Sequence, residues 1–113
     1  MKGFEELECW KEARALRLHL RPLIEKLPKN EEYLLKSQLV RALRSVTNNI
    51  AEGYGRFHYK ENAQFCRVAR GSLYEVLDHL IIGYEDKYLT KEEFEVHPDR
   101  LKFLGKEHLI CLK

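Results

Sequence analysis

Apolar positions recur three and four residues apart along most of the chain, the spacing of helices buried on one side. Trp10, Ala13, Leu16, Leu20, Leu23, Ile24 and Leu27 share one face, which predicts a first helix from about Phe4 or Leu7 to Leu27. Pro22 lies on the outer side of that wheel and removes the bond to the Leu18 carbonyl, so a kink is expected there. Pro28-Lys29-Asn30 closes this helix, with Asn30 expected to cap the next and Glu31 and Glu32 in its first turn. The second helix turns Leu35, Leu39, Ala42, Leu43, Val46 and Ile50 inward and runs to about Glu52, where Gly53 is expected to supply a left-handed cap. A third starts near Tyr59–Glu61 and continues through Phe65, Ala69, Leu73, Val76, Leu77 and Leu80 to about Asp86. Tyr88-Leu89 then packs a short loop, and Thr90 caps a fourth helix opening with Lys91-Glu92-Glu93. No run of four residues alternates as a half-buried strand would. The expected architecture is all-α: one domain over residues 1–113, an antiparallel up-and-down four-helix bundle whose last helix is interrupted near Pro98.

Composition narrows the class. At 44 % hydrophobic the chain can build a core, and its longest apolar run is far short of the ~18 residues of a membrane span. The opening MKGFEELECW carries three glutamates and no apolar leader, so a cytoplasmic protein without membrane partners is expected. The three cysteines (Cys9, Cys66, Cys111) are widely spaced with no C-x-x-C pair, and are expected to be reduced and at least partly buried. The net charge of +2 hides an uneven distribution. Residues 33–76 hold seven basic against three acidic side chains, whereas residues 85–99 hold six acidic against two basic. The arginine-dominated middle points to an anionic partner. Leu34, Val40, Tyr74, Ile81, Ile82 and Tyr84 widen the apolar faces of helices 2 and 3 beyond one stripe, and self-association would cover them.

Arg41, Ser45, Asn48, Asn49 and Glu52 fall together on helix 2, roughly opposite the core. Asparagine in a helix interior is disfavoured by roughly half a kcal/mol against alanine. Their use is either a contact surface for a subunit or a nucleic-acid backbone, or a solvated face with one or two inter-helix hydrogen bonds. The turn Tyr54-Gly55-Arg56-Phe57-His58-Tyr59-Lys60 interleaves rings and cations, as a single-strand site would, although such aromatics can equally fold back onto the bundle end. Lys11, Arg14, Arg17 and Arg21 form a basic stripe on helix 1, and Arg67 and Arg70 a shorter one on helix 3; such stripes are usually solvated flanks. Gly71 in mid-helix suggests close approach by another helix or a bulky ring. Catalysis has no support. The five histidines form no i, i+4 pair, no Glu-x-x-His occurs, and there is no phosphate loop or nucleophile elbow, so no enzyme, metal or cofactor is expected.

Two stretches are distinctive: Ser37-Gln38-Leu39-Val40-Arg41-Ala42 leading to Asn49-Ile50-Ala51-Glu52-Gly53-Tyr54-Gly55-Arg56, and Ala69-Arg70-Gly71-Ser72-Leu73 with Glu75. With Leu7-Glu8-Cys9-Trp10-Lys11 at the start and Lys60-Glu61 and Phe65 between, they resemble the bacterial four-helix bundle proteins encoded in intervening sequences of large-subunit ribosomal RNA genes. The accessory variability determinants of diversity-generating retroelements are similar proteins. The resemblance covers about residues 4–95 and implies a homopentamer of bundles without a catalytic centre. Its retroelement members are basic and bind nucleic acid and a reverse transcriptase. Arg41, Arg44, Arg56, Lys60, Arg67 and Arg70 lie in the matching segments and, from their charge, are the expected nucleic-acid contacts; Ser45, Asn49 and Glu52 are the expected subunit-interface or polar-contact residues. A scaffold that binds only protein is the alternative. Two departures stand out: Thr47 occupies a position where many relatives carry proline, and Pro98 and Gly105 intrude on the long last helix.

Overall fold

Three helices account for most of the computed structural model, which describes residues 3–56 and 58–93: α1 (Glu8–Glu25), α2 (Leu35–Tyr54) and α3 (Tyr59–Glu85). Short 3-10 turns at Phe4–Glu6 and Lys29–Glu31 precede α1 and α2, and among the described residues there is no strand. The described residues are therefore all-helical, as their periodicity requires. α2 packs against both α1 and α3. Leu16 and Leu20 of α1, Leu39 and Val46 of α2, and Val76 and Leu80 of α3 are its most deeply buried aliphatic side chains. Exposed Pro22 sits inside α1 without ending it.

The helix ends differ from expectation in two places. Asn30 does not cap α2. Pro28 leads into the 3-10 turn, the helix starts only at Leu35, and the Glu31 carboxylate accepts the Leu35 N–H at 3.2 Å. Gly53 does not adopt a left-handed cap either; no glycine among the described residues has positive φ, and α2 runs on to Tyr54 with Gly55 right-handed after it. Gly53 is instead buried where the helices touch. A Cβ placed on it would lie 3.0 Å from Phe65 Cβ and 3.3 Å from the Asn62 carbonyl oxygen. At the other end of the pair, a Cβ on Gly83 would meet Leu89 at 3.0 Å and Leu35 at 3.7 Å. Gly71 is the reverse of what its position suggested: it is exposed, with nothing within 4 Å of an added Cβ.

Ala63, Cys66, Ala69 and Ser72 continue the small-residue face of α3 that lets α2 come close. Phe65, expected inside, is only half-buried because these small neighbours occupy the contact. α3 ends in a Schellman motif. Tyr88 N–H donates to the Gly83 carbonyl at 2.8 Å and Lys87 N–H to Tyr84 at 3.0 Å, with Lys87 left-handed at φ 66° where glycine would be usual. The turn delivers Leu89 into the core and the Tyr88 hydroxyl to Glu31, 3.0 Å away. Thr90 then forms the expected capping box: its Oγ1 accepts the Glu93 N–H at 3.2 Å, and Glu93 accepts the Thr90 N–H at 2.9 Å. The expected interruption near Pro98 lies outside the described residues.

Cysteine usage needs a correction. Cys66 is a free, buried thiol, but Cys9 is disulfide-bonded, so the three are not all reduced. Widely spaced cysteines carry no spacing signature, and only the fold decides which of them meet.

Candidate nucleic-acid interface

The α1 stripe places Arg14, Arg17 and Arg21 on one side at three- and four-residue spacing, and α2 turns Arg44 toward the same side. Arg17, Arg21, Lys36 and Arg44 line a groove of about 280 Å³ between α1 and α2, floored by Ile24, Val40 and Leu43, with Glu25 at its edge. A wider groove of about 700 Å³ along α2 shares Lys36, Val40 and Arg44 with the first, and adds Tyr33, Arg41, Asn48 and Asn49. The two grooves adjoin along these shared side chains and are together called the α1/α2 channel below. Glu32 also lines it and holds Lys36 at 3.3 Å, so that pair is neutral. Arg17, Arg21, Arg41 and Arg44 form no ion pair with a described carboxylate.

Arg17 is the most constrained of the four. Its Nε is buried with no hydrogen-bond partner among the described residues. Burial first, and then the neighbouring charges of Arg14, Arg21 and Arg44, pull its guanidinium below the ordinary arginine value. A guanidinium stays protonated regardless, so the unfavourable environment persists as an attraction for any anion entering the channel.

The other expected contact residues do not gather here. Arg56 closes the C-terminal end of α2, 3.2 Å from Glu52 and 3.7 Å from Glu61, with its guanidinium 5.1 Å over the Phe65 ring. Glu52 is thus committed to Arg56. Lys60, Arg67 and Arg70 are exposed on α3, and none lines the channel. Ser45 and Asn49 are half-buried, Ser45 bonded across to α3 and Asn49 back to Ser45 within α2. Ser45 Oγ exchanges a hydrogen bond with Ser72 Oγ of α3 at 2.7 Å, while Asn49 Nδ2 donates to the Ser45 carbonyl at 2.7 Å and to its Oγ at 3.0 Å. Arg17, Arg21, Lys36 and Tyr33 are channel residues that sequence reasoning left out of the site. The periodic stripe on α1 was the available signal for two of them. Burial pushes the Cys66 thiol up, and it donates to Asn62 Oδ1 at 3.2 Å, which makes it a packing group rather than a nucleophile. Among the described residues no cluster of three or more His, Cys, Asp or Glu could hold a metal, and no helix is long and apolar enough to cross a membrane.

Comparison with known proteins agrees with this helical architecture. The family model described as 23S rRNA-intervening sequence protein matches residues 5–107. The fold also matches a crystal structure from Bacteroides thetaiotaomicron, described as a protein with unknown function from the S23 ribosomal protein family, with a TM-score of 0.82. The two chains are 17 % identical, and the match covers 93 % of this chain and 98 % of that one. No curated protein matches the chain.

Proposed function

The chain belongs to the 23S rRNA-intervening sequence protein family, and from that premise we propose that it is a non-enzymatic homo-oligomer that holds RNA or DNA by its phosphates along the α1/α2 channel. The observation that carries this reading is the set of four arginines on two adjoining grooves, Arg17 and Arg21 on one, Arg41 on the other and Arg44 on both, all unmatched by described carboxylates. Like charges held together are unfavourable until a counter-anion arrives, and a phosphate backbone supplies several at once. The subunit is an antiparallel up-and-down four-helix bundle; the meetings of Gly53 with Phe65, Ser45 with Ser72 and Leu35 with Gly83 support that direction for α2 and α3. Val68, Tyr74 and Ile82 leave apolar area on the outer face of α3, 43 %, 50 % and 36 % exposed, and support burial against a second copy. A pentamer follows from the resemblance noted above, as does a reverse transcriptase as a further partner to test.

The test is fluorescence anisotropy with labelled RNA and DNA oligonucleotides across 50–200 mM KCl. Four phosphate contacts give a slope of log affinity against log salt of about −3 to −4, roughly a hundredfold loss over that range. Arg17→Gln with Arg44→Gln lowers the slope by about 1.5. Binding absent at low salt, or indifferent to salt, refutes the reading. Light scattering gives the assembly: five copies of the 13.5 kDa chain weigh about 68 kDa, and a monomer removes the oligomer.

A further inference from the structure

We propose that the channel takes a single strand rather than a duplex, with an unpaired base stacked on Tyr33; the inference rests on the phosphate-binding reading above. Tyr33 is 88 % exposed in the turn just before α2, so it contributes almost nothing to the core. Its ring lines the same groove as Arg41 and Arg44. An aromatic face beside cations is the combination that single strands require, because bases stack on the ring while phosphates meet the charges. A duplex has already stacked its bases on one another and leaves Tyr33 nothing to engage.

Asn48 provides the second observation. It is exposed, lines the same groove, and its amide makes no hydrogen bond to a described residue, whereas neighbouring Asn49 is committed to Ser45. Asparagine costs roughly half a kcal/mol in a helix interior relative to alanine, and here no bond within the chain offsets that. Its carboxamide, with two donors and one acceptor oxygen, suits the exposed edge of an unpaired base. Arg41, Arg44 and Asn48 follow one another at three- and four-residue spacing along α2, on the side that faces the groove. From the start of α2 to Asn48 the helix rises about 20 Å at ~1.5 Å per residue. That is the length of about six stacked nucleotides at ~3.4 Å each. The occupant is a single-stranded segment of that size, with phosphates on Arg41 and Arg44, one base on Tyr33 and a base edge on Asn48.

The experiment titrates one labelled twelve-nucleotide RNA, free and annealed to its complement, into the wild type, Tyr33→Ala, Tyr33→Phe, Asn48→Ala and Arg44→Gln at low salt. The single strand is expected to bind more tightly than the duplex. Tyr33→Ala weakens single-strand binding about 5- to 150-fold and leaves the duplex unchanged, while Tyr33→Phe keeps the ring and the affinity. Asn48→Ala weakens only the single strand. Arg44→Gln weakens both. Equal or tighter duplex binding, or a silent Tyr33→Ala, overturns strand selection while a loss in Arg44→Gln leaves phosphate binding standing. No binding of either form overturns both.

Discussion

Gly53 and Gly71 should respond oppositely to alanine, and the difference measures how closely α2 approaches α3. Replacing a helix-interior glycine with alanine is worth about 1 kcal/mol in helix propensity. At Gly71 nothing lies within 4 Å of the new methyl group, so Gly71→Ala should gain close to that full amount. At Gly53 the methyl group arrives 3.0 Å from Phe65 Cβ and 3.3 Å from a backbone oxygen of Asn62, and neither can swing aside as a side-chain tip could. Overpacking of this kind costs about 1–3 kcal/mol, which reverses the propensity gain and leaves Gly53→Ala destabilised by about 1 kcal/mol. Gly83 belongs between them, because the atoms it would meet are the flexible end of Leu89. For a domain of this length 1 kcal/mol corresponds to about 4 °C in Tm. The expected order is Gly71→Ala about 4 °C above wild type, Gly83→Ala near it, and Gly53→Ala about 4 °C below. Thermal melts followed by circular dichroism, with urea titrations at one protein concentration, read the series. A Gly53→Ala variant as stable as Gly71→Ala would refute the close approach.

Three further outcomes follow from the same contacts. Ser45→Ala leaves the buried Ser72 hydroxyl without its partner and should cost about 1–3 kcal/mol by urea denaturation. Lys87→Gly relieves a left-handed residue at the end of α3; that conformation costs roughly 1–2 kcal/mol for a non-glycine, part of which is returned by the freer unfolded chain, so Tm should rise by a few degrees. The Glu93 carboxyl is held below the usual glutamate range, chiefly by the Lys26 ammonium and then by the Thr90 N–H. Its contribution is therefore present above about pH 4.3 and fades as pH falls through the lower folded value. The Tm gap between wild type and Glu93→Gln should close over that acid window; a gap unchanged down to pH 2 would contradict the assignment.

The helical stripes were legible because burying apolar area imposes one period on each helix, and Leu16, Leu20, Val46, Val76 and Leu80 lie where that period puts them. The capping box at Thr90 was legible for a similar reason, since it is a local pattern complete within four residues. What escaped depends on neighbours distant in sequence. The chain reads Gly53 as a helix cap and Gly71 as a packing site, and only the packing of α3 shows that the contact is at Gly53 and the open space at Gly71. Asn30 looked like a cap, but the 3-10 turn after Pro28 moved the start of α2 to Leu35 and gave its N–H to Glu31. The channel was half legible. Arg41 and Arg44 stood in the basic block, whereas Arg17 and Arg21 read as a solvated flank until α1 was laid beside α2.

The Asn49–Ser45–Ser72 chain of hydrogen bonds also acts on structures the protein does not adopt. A face made of alanine, serine, cysteine and glycine is smooth, and smooth helices can slide past each other by a turn with little change in apolar contact. Moving α3 one turn along α2 would shift Ser72 by ~5.4 Å and leave its buried hydroxyl without the Ser45 partner. That abandoned group costs about 1–3 kcal/mol, enough to make a slipped alignment a minor species. One polar contact thereby removes a ladder of near-degenerate packings that the small residues alone would permit.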